Sequence, residues 1–198
     1  MTQADPLPLR QRQALETRRR IATAARELFR EGGYGSTTIA EIAARAGVAV
    51  PTIYKTFGNK PGVLAAIVES WREEFVPGGF ESVPADGAAA IAWWARTARQ
   101  QWETGYDIAM IFAGAMTSEP AVRTELAKRL GYRAVAITRV AEAVAQAPGS
   151  RLPVPQAAAI ISALTLPEVY RELVHDRGWS ADDYEAWINQ TLIHQLLG

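Results

Sequence analysis

The sequence contains no cysteine, which excludes a disulfide framework, thiolate metal sites and cysteine nucleophiles. Histidine is nearly absent too. His175 and His194 are the only imidazoles, too few for a histidine-rich metal site, and no metal or cofactor is expected. Long apolar runs are missing: residues 88–95 and 157–166 are the most apolar stretches, far short of the ~20 residues that span a bilayer. The first twenty residues lack the apolar core of a secretory signal. A cytoplasmic protein without a membrane partner is therefore expected. No alternating strand pattern holds for more than a few residues, and no repeat or low-complexity tract occurs.

An excess of one charge is lacking as well, because 21 Lys and Arg balance 21 Asp and Glu. The balance hides an asymmetry. Residues 1–60 carry ten Lys and Arg against five acids, a net of +5, so the remainder must be −5. A basic end on an acidic body suits contact with phosphates, although an ordinary solvated face gives the same count. Nearly half of the 198 residues are apolar (48%), enough for an ordered, core-forming chain.

What is present is helical periodicity, giving an all-α chain of about nine helices. Residues 1–14, with Pro6 and Pro8, read as a disordered arm. A first helix over about residues 15–31 places Ile21, Ala25, Leu28 and Phe29 on one face, and Gly32-Gly33 ends it. Thr38 and Glu41 have the spacing of a capping box and open a short helix that stops at Gly47. A third helix covers about residues 50–57. Asn59 caps a fourth, with Pro61 tolerated in its first turn. Breaks at Pro77-Gly78-Gly79 and over residues 84–87 precede helices at about 88–103, from Gly105 to 118, and from Pro120 to 147. Two final helices are read at about 156–176 and 182–197.

Two short helices joined by Ala46-Gly47-Val48-Ala49 form the informative feature. Glycine permits the turn, and the pair has the form of a helix-turn-helix whose second helix can enter a major groove. Ile39, Ile42, Ala43, Val48 and Ile53 are spaced to pack the two together. Val50, Pro51, Thr52, Lys55 and Thr56 are left on the outer face.

Thr38-Ile39-Ala40-Glu41-Ile42-Ala43-Ala44-Arg45-Ala46-Gly47-Val48, followed by Thr52-Ile53-Tyr54-Lys55-Thr56-Phe57-Gly58-Asn59-Lys60, resembles the TetR family of bacterial regulators. Gly33-Tyr34 and Leu64 fit the same pattern, and the likeness extends over about residues 17–66. Two positions depart from it: Ala49 stands where many members have a capping serine, and Pro51 where many have glycine or alanine.

The resemblance implies a helix-turn-helix DNA-binding domain over residues 15–60 and a helical ligand-binding and dimerisation domain over 61–198. It implies that Thr38 donates to a phosphate at a helix N-terminus, and that Tyr54 and Lys60 hold the DNA backbone. Arg45, Val50, Pro51, Thr52 and Lys55 would then reach base edges or nearby phosphates, although Arg45 alone also suits a solvated surface.

The implied partners are a double-stranded operator, a second copy of the chain and a small-molecule effector. Two-fold pairing places two reading helices about one DNA turn (~34 Å) apart. In relatives the last two helices form the dimer interface. Here Ala157, Ile160, Ile161, Leu164, Trp187, Ile188, Leu192 and Leu196 supply apolar faces for it, or else fill the core of a single chain. Trp93, Trp94, Trp102, Tyr106, Met110, Phe112 and Met116 suit a mostly apolar ligand pocket or an ordinary core.

An enzyme is not expected. No Ser-His-Asp set stands in a usable context, no phosphate loop or metal pair occurs, and His175-Asp176 has no visible nucleophile beside it. Repression is the commoner mode of the family these residues resemble, so the resemblance implies a repressor that ligand releases from DNA. An activator, or a helical module whose N-terminal part meets protein, remains an alternative reading of the same residues.

Overall fold

The computed structural model describes residues 8–75, 82–150 and 152–198. It is all-α, with no strand among the described residues, and none of their helices is long and apolar enough to cross a membrane. The chain divides into two compact units that alternate along the sequence. The first comprises the chain up to Glu73 together with Met110–Leu126, and the second comprises Glu74–Ala109 and Ala127–Gly198.

In the first unit α1 (Leu9–Gly32) begins about six residues earlier than the periodicity suggests. Leu9 and Leu15 stay exposed, so no buried stripe announces this turn. Intrinsic propensity accounts for it, because Leu, Arg, Gln and Ala are all good helix formers. The Pro8 carbonyl accepts from the amides of Gln11 and Arg12 and starts the helix. The expected disordered arm is therefore helical over residues 9–14, while residues 1–7 lie outside the described residues.

Helix α2 (Ile39–Ala46) opens on the capping box of Thr38 and Glu41 and closes at Gly47. Gly47 adopts the left-handed conformation (φ 64°, ψ 41°). Its amide and that of Val48 donate to the carbonyls of Ala44 and Ala43, a Schellman closure that satisfies the last carbonyls of α2. Helix α3 (Val50–Phe57) follows after Ala49, which offers no side-chain cap. Ile21, Phe29, Ile42, Ala43 and Ile53 are all buried, so both helices present apolar faces to the core.

Helix α4 (Lys60–Phe75) starts where the Asn59 carboxamide accepts from the Gly62 amide at 2.8 Å. Gly62 is obligatory on steric grounds, because a Cβ there would overlap the Phe57 carbonyl oxygen. The expected break at Pro77-Gly78-Gly79 lies outside the described residues.

The two expected helices on either side of Gly105 are one helix, α5 (Gly87–Ser118). A mid-helix glycine costs roughly 1 kcal/mol, which the buried Trp102, Ile108, Ile111 and Phe112 along the same helix offset. Helix α6 runs Pro120–Ala145. The expected helix over 156–176 is interrupted: α7 (Val154–Leu164) is followed by α8 (Pro167–Tyr170) and a π-helical turn, Arg171–Asp176. Pro167 is the cause. It has no amide to donate, and it drives Leu166 into an extended conformation (ψ 152°). Helix α9 (Ala181–Leu197) opens on a second capping box, Ser180 with Asp183.

The second unit has its own core. Ile91, Trp94, Ala98 and Trp102 of α5 meet Ile137, Val140 and Val144 of α6, Ala157 and Ile161 of α7, and Tyr184, Ile188, Leu192 and Leu196 of α9.

The αL turn yields a stability prediction. A Cβ at Gly47 would meet nothing within 4 Å, so Gly47→Ala tests backbone conformation alone. Urea unfolding is expected to show a loss of about 1–2 kcal/mol, with the helical signal of the folded state unchanged.

Candidate functional site

The helix-turn-helix is held by the loop between α1 and α2. Tyr34, buried in that loop, packs its ring 5.1 Å from Phe29 and donates its hydroxyl to a Glu119 carboxylate oxygen at 2.9 Å. The Lys60 ammonium lies 4.4 Å from the centre of the Tyr34 ring and donates to the carbonyls of Tyr34 (2.9 Å) and Thr37 (3.0 Å). Buried Thr37 donates to the Gly33 carbonyl at 2.9 Å. One lysine thus satisfies carbonyls of a loop that has no helix to close them. Lys60 was expected to hold a DNA phosphate; its charge is instead directed into the protein's own loop.

Arg45 is likewise engaged. Its guanidinium reaches Glu31 at 3.1 Å and Glu27 at 3.4 Å, both on α1, and the hydrogen bond from Arg45 holds the Glu31 carboxyl below its usual range. This exposed pairing ties the end of α2 to α1, and contact with a base edge requires Arg45 to leave it. The Thr38 hydroxyl accepts from the Glu41 amide and donates to the Glu41 carboxylate at 2.8 Å. It remains exposed, so a phosphate would have to take over that donor.

Helix α3 shows which residues stay available. Pro51, Tyr54 and Lys55 are exposed, with Tyr54 at 52%, an unusual value for so large an aromatic. Val50 and Thr52 are half-buried, and the Thr52 carbonyl accepts from the Thr56 hydroxyl at 2.7 Å. Phe57 packs inward, with the Arg18 guanidinium 4.8 Å from its ring centre. The outer face of α3 is thus a proline, a phenol and an ammonium, flanked by the methyl groups of Val50 and Thr52.

The residues expected to bind a ligand are divided between the two units. Met110, Phe112 and Met116 belong to the first unit, where Phe112 is buried, whereas Trp93, Trp94, Trp102 and Tyr106 belong to the second. The expected dimer residues divide in another way. Ala157, Ile161, Ile188, Leu192 and Leu196 are at most 2% exposed and fill the second unit's core, so they offer a second copy no surface. Ile160, Leu164 and Trp187 keep partial exposure. A stripe of four apolar positions per two turns feeds the nearest core first, and burial follows from that.

The second unit holds a polar focus that sequence reading missed. Thr165, fully buried at the α7–α8 break, exposes its carbonyl and hydroxyl to α5 and α6. The Trp94 indole N–H donates to its hydroxyl (3.3 Å) and the Trp102 indole N–H to its carbonyl (3.1 Å). Arg133 of α6 donates to both, at 2.8 and 2.7 Å, and to Gln101 at 3.0 Å. Its guanidinium lies 5.0 and 5.4 Å from the Trp94 and Trp102 rings. Burial lowers its pKa to about 10, so it stays charged near neutrality. A signal existed. Arg133 precedes Ala136, Ile137, Val140, Ala141 and Val144 at helical spacing, a single charge in an apolar stripe.

Two predictions arise here. Lys60→Met leaves the Tyr34 and Thr37 carbonyls without their donor and is expected to cost roughly 1–3 kcal/mol in urea unfolding. Burial also holds the Tyr34 and Tyr184 phenols above their ordinary range. An unfolded tyrosine releases its proton near pH ~10, while these two retain theirs in the fold. Stability is therefore complete below about pH 10 and falls as pH rises further. Urea melts across that range check this, with a smaller alkaline loss expected for Tyr34→Phe and Tyr184→Phe.

Comparison with known proteins agrees with this geometry. Residues 21–67 match the family described as bacterial regulatory proteins, tetR family. The HTH-type transcriptional regulator YvkB of Bacillus subtilis (strain 168) is 42% identical over 52 residues, a stretch covering 26% of this chain and 28% of that protein's length. The fold as a whole is similar to that of NalD, the secondary repressor of the MexAB-OprM multidrug efflux pump in Pseudomonas aeruginosa. The TM-score is 0.75 at 19% identity, over 94% of this chain and 98% of NalD. FadR from Bacillus subtilis, solved in complex with stearoyl-CoA, gives a TM-score of 0.68 at 20% identity, over 88% of this chain and 97% of FadR. The Gly47 turn, the two short helices and the second half of α1 lie within the matched residues, so the N-terminal domain of this chain is similar to that of the tetR family of bacterial regulatory proteins.

Proposed function

We propose that this chain is a transcriptional repressor that binds a palindromic operator as a homodimer and releases it when a mostly apolar small molecule occupies the second unit. The observation that carries the DNA-binding reading is the outer face of α3. It leaves Tyr54 and Lys55 free of the fold while the capped α2 and the Lys60 latch hold the helix in place. A phenol and an ammonium on one short helix suit backbone contact, and the methyl groups of Val50 and Thr52 suit thymine. Thr38 adds a donor at the α2 N-terminus once it turns from Glu41.

In this reading the first unit is the reading head, including the Met110–Leu126 corner, and the second unit carries ligand binding and dimerisation. Partly exposed Ile160, Leu164 and Trp187, with exposed Leu166, Trp179 and Ile193 nearby in the sequence, supply the apolar surface that a second copy would cover. The cytoplasm is the compartment where such a protein meets DNA. NalD is a repressor and FadR was solved with stearoyl-CoA, so both parts of the proposal have a counterpart on the same fold. Ligand acts by favouring a spacing of the two heads that the operator does not fit.

A gel shift on the DNA upstream of the protein's own gene tests the proposal. Salt-sensitive binding to a palindromic segment is expected, because phosphate contacts release counterions. Tyr54→Ala is expected to lower affinity by about tenfold, and Lys55→Ala to reduce the salt slope by about 1 where it meets phosphate. Absence of affinity for any DNA at low salt overturns the reading. A binding activity toward protein with a flat salt dependence points to an interaction module instead.

A further inference from the structure

The polar focus around Thr165 contains more donor capacity than the fold uses. Gln101 and Thr165 together engage three N–H donors of Arg133. No carboxylate lies within ion-pair distance of that guanidinium among the described residues. Arg133 is deep enough for burial to depress its pKa, yet it keeps partial solvent exposure. A desolvated cation without a counter-charge is costly, and a structure that retains one gains from any anion that pairs with it.

A second, independent feature lies beside it. Tyr184 of α9 is fully buried, and its hydroxyl has no hydrogen-bond partner. It belongs to the same buried core as Trp94 and Trp102, the two rings against which the Arg133 guanidinium lies at 5.0 and 5.4 Å. The nearby Trp102 indole N–H does not satisfy it, being committed to the Thr165 carbonyl at 3.1 Å. Tyr170 packs edge-on against Tyr184, with ring centres 5.0 Å apart, and Tyr106 lies 6.4 Å from Tyr170. Beyond Gln101 and Thr165, which Arg133 already engages, the neighbourhood is mostly apolar: Trp94, Trp102, Ile137 and Tyr170 are all buried, with His175 5.6 Å from the Tyr170 ring.

We propose that the second unit binds an apolar monocarboxylate, whose charge pairs with the Arg133 guanidinium and accepts the orphan Tyr184 hydroxyl, while Trp94, Trp102 and Tyr170 enclose its apolar part. The chemistry selects this class. A guanidinium N–H that the fold leaves unused makes a charge-assisted hydrogen bond with a carboxylate oxygen, stronger than the bond an alcohol oxygen would accept. Among the described residues Arg133 is the cation held against both indole rings, and one such charge in aromatic surroundings suits one negative charge on an apolar body. The proposal rests on the effector reading for its biological role and on the Arg133–Tyr184 arrangement for its chemistry.

Titration calorimetry on the full chain without DNA tests it, using two acid and alcohol pairs of matched shape: octanoate with octan-1-ol, and 1-naphthoate with 1-naphthol. For at least one pair the acid is expected to bind the wild type at least about tenfold tighter than its alcohol. Arg133→Gln is expected to bring that ratio close to one. Tyr184→Phe, which keeps the ring and removes the hydroxyl, is expected to weaken the acid several-fold and leave the alcohol unchanged. Equal affinity of acid and alcohol in both pairs, failure of both acids to bind, or a preference that survives Arg133→Gln overturns the proposal. Should Arg133→Gln not fold by circular dichroism, Tyr184→Phe decides, and an unchanged ratio overturns it. The gel shift is read separately. Acid binding that leaves operator affinity unaltered removes the effector role and keeps the carboxylate site; operator binding with no acid preference does the reverse.

Discussion

The arrangement of the first unit depends on one ammonium group turned inward. Lys60 closes the carbonyls of Tyr34 and Thr37 at 2.9 and 3.0 Å and covers the Tyr34 ring. That loop decides where α2 begins, and α2 in turn decides, through Gly47, where α3 points. Tyr34 extends the same arrangement to the α5–α6 corner through Glu119. The reading helix is thus oriented by hydrogen bonds to backbone groups two elements away, and its own outer residues stay free for a partner. A buried or half-buried donor is effective here because unmet carbonyls in a short loop have no helix to pair with.

The second unit is organised around an interruption. Pro167 ends α7 and leaves the Thr165 carbonyl and hydroxyl inside an apolar core, where the hydroxyl donates to the Ile161 carbonyl at 2.7 Å and the remaining acceptor sites face other helices. Trp94, Trp102 and Arg133 meet those sites, and the indole and guanidinium groups that satisfy the break also line it. The same residues stabilise the fold and create a polar focus in apolar surroundings. Tyr184 adds a buried hydroxyl that the fold leaves unused. A core built only for stability would place phenylalanine there and avoid the desolvation.

Much of the first unit was legible because its signals are local. The Thr38–Glu41 spacing, the Gly47 turn and the Asn59 cap each act over four residues, and each forms as read. The roles of Arg45 and Lys60 were not legible. A basic residue beside a reading helix looks the same in sequence whether it faces a phosphate, a glutamate 14 positions earlier as Arg45 does, or a carbonyl 26 positions earlier as Lys60 does. The division of the aromatic-rich segment after residue 88 was not legible for a related reason. Trp94 and Phe112 share one helix, α5, yet serve different cores.

The sequence by itself determined the all-α class and the helix-turn-helix, because periodicity, caps and a left-handed glycine are properties of neighbouring residues. Tertiary structure alone decided which charges are available and which apolar stripes are internal. Ile188, Leu192 and Leu196 repeat as an interface helix would, and burial against α5, α6 and α7 absorbs them. Arg133 and Tyr184 stand 51 positions apart in the sequence and become neighbours only when α6 and α9 pack. Pairing across such distances depends on the packing of whole helices, which no local pattern encodes.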